Sequence, residues 1–262
     1  MPKLTWGVAG SRFYEAGIDR GVLYVGDLAG VAWNGLTGVN ETSSGGDPKP
    51  FYIDGIKYLN IPAAEEFEAT ITAFTYPDEF AHCDGTFQPR PGMFITQQRR
   101  QSFGLCYRTN VGNDLTGDLG YKIHIVYNAL ASPTNRSNKT LGDSSDPTDF
   151  SWSITTRPPA ITAYKPMAHV VIDSRSTDPS ILSLVEDVLY GTDSDPARIP
   201  AFSELIEIFD TISTLTIVDN GDGTWTATAP FDVIRMLDET TFAITASTAV
   251  FIDDDSYTIS ST

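Results

Sequence analysis

Cysteine is almost missing from this sequence. Only Cys83 and Cys106 occur among 262 residues, so a disulfide framework is excluded and a pair of buried thiols is the expected state. Histidine is nearly as scarce, with His82, His124 and His169 alone. Zinc asks for closely spaced pairs of Cys or His ligands. His82 and Cys83 are adjacent, which is poor geometry for a shared ion, and Cys106 stands apart. No metal site and no cofactor is therefore expected. Positive charge is the third shortage: 17 Lys plus Arg face 34 Asp plus Glu, for a formal net charge of −17. Binding nucleic acid through counterion release needs clustered Lys and Arg, and here repulsion from phosphate is the expected relation. Long apolar runs are also missing. No stretch of 18 apolar residues exists, and Met1 to Gly10 carries no apolar h-region, so the expectation is a protein made in the cytoplasm without a membrane span or signal peptide.

The signatures of catalysis are missing too. There is no Gly-x-Ser-x-Gly elbow and no phosphate-binding Gly-x4-Gly-Lys-Ser/Thr loop. Gly7-Val-Ala-Gly10 is not followed by a helix and reads as an ordinary loop. Asp219-Asn-Gly-Asp-Gly-Thr224 has calcium-loop residues, but with the loop starting at Asn220 the twelfth position is Phe231, where a bidentate Glu is needed. Asp114 and Asp118 sit in a Gly- and Asn-rich loop with nothing to separate their proton affinities, as a glycosidase pair requires. No enzyme is expected.

What is present is strand. Hydrophobic residues at 41% and aromatics at 11% are enough for a globular core. Short runs rich in β-branched and aromatic residues cover Val22 to Val25, Val31 to Val39 and Phe51 to Leu59. Glu66 to Tyr76 alternates, with Phe67, Ala69, Ile71 and Ala73 on one face and Glu66, Glu68, Thr70 and Thr72 on the other. That is the period-2 pattern of a half-buried strand. Phe103 to Tyr107, Tyr121 to Tyr127, Phe150 to Ile154 and Ala168 to Ile172 extend the series. The polar stretch Glu41-Thr-Ser-Ser-Gly-Gly-Asp-Pro-Lys-Pro50 reads as a long exposed hairpin loop.

Helix signals are few. Asp178-Pro179 supplies an N-cap and an N1 proline, Ile181, Leu184, Val185 and Val188 form a stripe, and Gly191 marks the stop. A second helix is expected over Pro200 to Phe209. Strands return at Thr214 to Val218 and Thr224 to Ala229, around the Asp219 to Gly223 turn, then at Phe242 to Ala246 and Ser256 to Ile259. Pro196 and Pro200 mark a joint. The expected organisation is a core domain over residues 1–195 and a helix-plus-hairpin appendage over 196–262. The fold class is mainly β: a sandwich or partial barrel with one or two short flanking helices.

Several motifs occur in a fixed order. Trp6-Gly7 is followed by Tyr14-Glu-Ala-Gly-Ile-Asp-Arg-Gly-Val-Leu-Tyr24, Val31-Ala-Trp-Asn-Gly-Leu36, Asp54-Gly-Ile-Lys-Tyr-Leu-Asn60 and Tyr76-Pro-Asp-Glu-Phe80. Phe103-Gly-Leu-Cys-Tyr-Arg-Thr109, Gly112-Asn-Asp114 and Gly120-Tyr-Lys-Ile-His-Ile-Val-Tyr-Asn128 come next, then Asp219 to Trp225 and Ala249-Val-Phe-Ile-Asp253. This series resembles the major tail proteins of long, non-contractile-tailed phages of actinobacteria. The resemblance implies a tail-tube fold in which six subunits form a ring, rings stack into a tube, and DNA leaves through the lumen without specific binding. It also implies a virion protein made and assembled in the host cytoplasm. Its partners would be its own copies and other tail proteins, such as the tape measure, tail terminator and distal tail protein. It carries no catalytic residues. Inter-ring contacts in that family use a long hairpin loop and the termini. By position these fall on Glu41, Thr42, Ser43, Ser44, Gly45, Gly46 and Asp47 and on the N-terminal stretch. Glu66 and Glu68 are the candidates for lining an acidic lumen that lets phosphates slide. The alternative is a phage decoration protein or a carbohydrate- or cell-surface-binding module.

Overall fold

A computed structural model describes residues 4–26, 28–45, 48–61, 65–134, 138, 140, 149–161, 164–211, 216–219, 225–228, 234–236, 241–244 and 258–261. The chain divides into two units, Met1–Ser176 with Val188–Ile199, and Thr177–Asp187 with Pro200–Thr262.

The first unit opens with β1 (Phe13–Val25), β2 (Val31–Ala32), β3 (Leu36–Gly45), β4 (Lys49–Ile53), β5 (Ile56–Ile61) and β6 (Glu65–Ala73). A 3-10 turn at Asp78–Phe80 runs into the single-turn helix α1 (Ala81–Asp84), which stops at Gly85 in the left-handed region. Then come β7 (Phe87–Arg90), β8 (Met93–Ile95), β9 (Phe103–Asn113), β10 (Gly120–Pro133), β11 (Phe150–Thr156) and β12 (His169–Asp173). The protein is mainly β, as the alternating patterns require, and its large sheet is antiparallel.

That sheet has the order β2-β1-β9-β10-β11-β6-β3, with β12 also on β10. The long strand β10 explains the branching. Its first half, Lys122 to Val126, pairs with β12, and its second half, Ala129 to Pro133, pairs with β11. Between them the register against β9 slips, and Asn128 takes φ 49°. An extra residue of this kind bends a strand and re-aims the residues beyond it. The β11-β6-β3 layer lies over β1, β9 and β10. Ala69, Ile71, Ala73, Trp152 and Ile154 from it join Leu23, Val25, Phe103, Leu105, Tyr107 and Val126 in one buried core. Phe80 fills the centre, with its ring 4.7 Å from Trp33 and 5.0 Å from Trp152. Both indoles find acceptors: Trp33 Nε1 donates to Thr75 O at 2.9 Å and Trp152 Nε1 to Asp84 Oδ1 at 3.1 Å, as buried N–H groups require.

The opposite face of β1, β9 and β10 is apolar as well. Val22, Tyr24, Cys106, Ile123 and Ile125 are buried there. The segment Val188–Ile199 of the same unit covers part of it, since Tyr24 donates its hydroxyl to Leu189 O at 2.7 Å. Gly104 allows the close approach: a Cβ there would meet the Ile199 side chain at 2.6 Å.

Two hairpins stand outside this core. Phe51 to Leu59 was expected as one strand, but β4 and β5 form a hairpin that turns at Asp54–Gly55, φ 51° and 77°. An Asp-Gly pair with both φ positive is the preferred two-residue hairpin turn. β7 and β8 make the second hairpin.

The expected loop at 41–50 is corrected too. Glu41 to Gly45 belong to β3 and pair with Ala69 to Glu65 of β6, and Lys49 and Pro50 already lie in β4. Thr and Ser suit a strand whose outer face is wet, and ladder pairing with β6 overrides their turn preference. Gly46 and Asp47 lie outside the described residues.

In the second unit, the helix signal at Asp178 holds. α2 (Pro179–Tyr190) starts where Asp178 Oδ1 accepts a hydrogen bond from Ser180 N at 2.7 Å, and its last residues fall in the first unit. Gly191 follows at φ 80°. Its buried positions are Ile181, Leu182, Val185 and Leu189, while Leu184, expected on the apolar stripe, is exposed. α3 (Phe202–Thr211) follows, with Leu205 buried. β13 (Thr216–Asp219) and β14 (Trp225–Thr228) pair antiparallel, while the expected turn at 220–223 lies outside the described residues. β15 (Ile234–Met236) pairs antiparallel with β16 (Thr241–Ile244), and β17 (Thr258–Ser261) runs parallel to β16. No described helix is long and apolar enough to cross a membrane.

Candidate assembly surface

Hairpin β4–β5 has every residue exposed on both strands. Seven of them are large and apolar: Phe51, Tyr52, Ile53, Ile56, Tyr58, Leu59 and Ile61, with Ile56 and Tyr58 both 73% exposed. Alternation on a strand normally hides one face, but here neither face is hidden. An isolated two-stranded hairpin is marginal in water. A contiguous apolar patch on a monomer marks an interaction site. β7–β8 repeats the feature with Phe87, Met93 and Phe94 exposed, and so does the N-terminal stretch with Leu4, Trp6 and Val8.

The outer face of the β11-β6-β3 layer has the opposite character. On β6, Glu66 is exposed, and Glu68, Thr70 and Thr72 are half-buried. Register places Glu68 between Thr42 of β3 and Thr155 of β11, and Thr70 between Asn40 and Ser153. The face is thus hydroxyl, amide and carboxylate, and none of the three strands contains Lys or Arg. Thr42 and Ser44 share it by alternation. Glu41, the neighbour of Thr42, turns the other way, toward the core.

The remaining sequence candidates separate. His82 is exposed while Cys83 is fully buried, and as chain neighbours in one helical turn they do not share a ligand. Burial pushes the Cys83 thiol up to about 12. Asp114 accepts a hydrogen bond from Gly10 N at 3.0 Å, a contact between two loops. Sequence reasoning missed Glu41, His124 and His169 as a group. The sequence reads as a loop at Glu41, and 83 and 45 residues separate it from His124 and His124 from His169, a spacing with no local signal. A hydrogen bond from His124, and a second from Tyr107, hold the Glu41 carboxyl down to about 2.

No known protein family matches the chain, and no curated protein sequence does. Among solved structures it is similar to a chain of the sheath–tube complex of an extracellular contractile injection system, PVC, in its extended state. The identity is 16%, over 59% of this chain and 88% of that one, at TM-score 0.30. It is similar to the tube-terminating cap of the anti-feeding prophage, at 11% identity, 66% and 97% coverage and TM-score 0.30. It is also similar to a chain of that particle's baseplate, at 9% identity, 66% and 100% coverage and TM-score 0.33.

Proposed function

We propose that this protein is a structural subunit that polymerises, the building block of a phage-type tail tube. The observation that carries the reading is hairpin β4–β5, which presents apolar side chains on both faces and has no partner within the described part of the subunit. In an assembly a neighbouring copy covers it, which removes the apolar surface from water at roughly 25 cal/mol per Å2. The ordered motifs from Trp6 to Asp253 point to the major tail proteins of long, non-contractile-tailed phages. Their hexameric rings, stacked into a tube for DNA ejection, give the hairpin its occupant.

Charge supports the conduit. Six copies carry on the order of a hundred formal negative charges at −17 each, a sign that repels phosphate. The Lys- and Arg-free face with Glu66 and Glu68 is the proposed lumen wall. Glu41 to Asp47, together with the N-terminal stretch, are the proposed inter-ring elements. Residues 196–262 are the proposed appendage, with other tail proteins as partners at the two ends of the tube.

Negative-stain electron microscopy of purified protein tests the reading. Rings or tubes are expected. A chain that stays monomeric at high concentration and binds glycans instead would replace it with the cell-surface-binding alternative.

A further inference from the structure

Three strands bring together side chains whose chemistry the assembly reading leaves unused. Glu41 from β3, His124 from β10 and His169 from β12 each place one ligand atom within 4.8 Å of the others. His124 Nδ1 lies 3.1 Å from His169 Nε2 and 3.3 Å from Glu41 Oε1. Tetrahedral ligands at about 2.0–2.2 Å from an ion stand roughly 3.3–3.6 Å apart, and closing one ligand–ion–ligand angle to about 98° brings a pair to about 3.1 Å. The two measured edges fit these separations.

The surroundings hold each ligand in place. Tyr107, the register partner of His124 across β9 and β10, stacks on its ring at 4.6 Å and 7°. The Tyr107 hydroxyl donates to Glu41 Oε1 at 2.6 Å and so aims the carboxylate. Thr109 Oγ1 sits 3.1 Å from His124 Nε2, and the Thr109 hydroxyl donates to Glu15 Oε2 at 3.4 Å. Thr109 Oγ1 is placed to accept from His124 Nε2–H in the tautomer that frees Nδ1. In that tautomer the Nδ1 lone pair is free for an ion held with His169 and Glu41; without an ion the ring instead donates Nδ1–H to the Glu41 carboxylate. An imidazole nitrogen and a carboxylate oxygen at this separation share a positive centre, either an ion or a proton on Nδ1. The Phe67 ring, 4.4 Å from that of His169, shields one side. The Glu41 side chain is 40% exposed, which opens the other side to water.

We propose that Glu41, His124 and His169 form a three-ligand site for a divalent transition ion of the zinc class, with Tyr107 and Thr109 as orienting partners. Two imidazoles and one carboxylate are the ligand set such ions take, with water in the fourth position. The bound ion would fasten β3 to β10 and β12, joining the two layers at a polar margin of the core where apolar packing gives out.

The test uses the full chain, stripped with a chelator and titrated with Zn2+ by calorimetry and with Co2+ by visible absorption. One ion per chain, a rise in Tm with Zn2+ and a Co2+ d–d band are expected. His169→Gln and Glu41→Gln should each weaken binding at least about tenfold and lose the Tm rise, and Tyr107→Phe should weaken it by roughly tenfold. His82→Gln, outside the cluster, should bind as the unaltered chain does. Circular dichroism in chelator shows whether each variant is folded, and the unaltered chain decides the stoichiometry even where a variant unfolds. An unaltered chain that binds neither ion overturns the proposal and leaves a shared proton as the positive centre. A folded His169→Gln chain that binds Zn2+ as tightly as the unaltered one overturns it as well.

Discussion

Arg108 on β9 and Asp19 on β1 are direct cross-strand partners, and the guanidinium grips the carboxylate with two hydrogen bonds of 2.6 and 2.8 Å. The same guanidinium lies 4.4 Å over the Tyr121 ring of β10. One side chain thereby ties three neighbouring strands on a face where the first residues of β1 are exposed.

The pair has a pH signature. The hydrogen bond from Arg108 holds the Asp19 carboxyl below its ordinary 3.8. A depressed carboxyl contributes stability above its unfolded pKa and loses it as pH falls through the folded value. Asp19 is 38% exposed, so after solvent screening the pair is worth at most about 1 kcal/mol. Thermal melts from about pH 6 down to pH 3 should show the unaltered chain losing Tm more steeply than Asp19→Asn below about pH 4. Parallel curves would mean that Arg108 acts through Tyr121 alone.

Trp152 fixes the junction of the two layers, almost fully buried and packed edge-on against Phe80 and Trp33. Trp152→Ala removes that volume and leaves a cavity, so a loss of about 3–5 kcal/mol is expected in denaturant unfolding. Leu184→Ala, at an exposed position on α2, should cost under about 1 kcal/mol.

Cys83 has no exposed surface and its thiol is raised to about 12. The thiolate is the reactive form. Iodoacetamide at neutral pH should leave Cys83 unmodified in native protein and label it after denaturation, as read by mass spectrometry. Fast native labelling would show that the α1 region opens.

Ile56→Asp with Tyr58→Asp places charges on hairpin β4–β5 without touching the core. Both positions are 73% exposed, so the subunit's own stability should change by less than about 0.5 kcal/mol. Tube formation seen by microscopy should be lost. Tubes of normal length from the double variant would show that the hairpin is not covered in the assembly.

Glu66→Lys with Glu68→Lys tests the lumen wall. The fold should persist, because that face of β6 is polar and at least partly wet. Ejection of DNA from assembled particles should slow and become salt-sensitive as lysines meet phosphates. Unchanged ejection would place both residues elsewhere and leave the assembly reading intact.

Much of the fold was legible locally. Ala69, Ile71 and Ala73 alternate with polar residues, and a two-residue period fits a strand with one dry face and nothing else. Asp178-Pro179 with Gly191 bounds α2 because caps act within a few residues of the helix ends. The Asp54-Gly55 turn was equally local, but the apolar residues on both sides of it read as one strand. Exclusion of a disulfide framework and the net negative charge come from composition alone.

What the sequence could not contain was which strands meet. The slip after Val126 bends β10 and lays β3 over β9. Only that fold-over carries Glu41 to Tyr107, His124 and His169, and it turns an expected loop into a paired strand. Local propensity is set by each residue and its nearest neighbours. Contacts between residues as distant as Glu41 and His124 are set by how whole strands share a core, and by where water is left out.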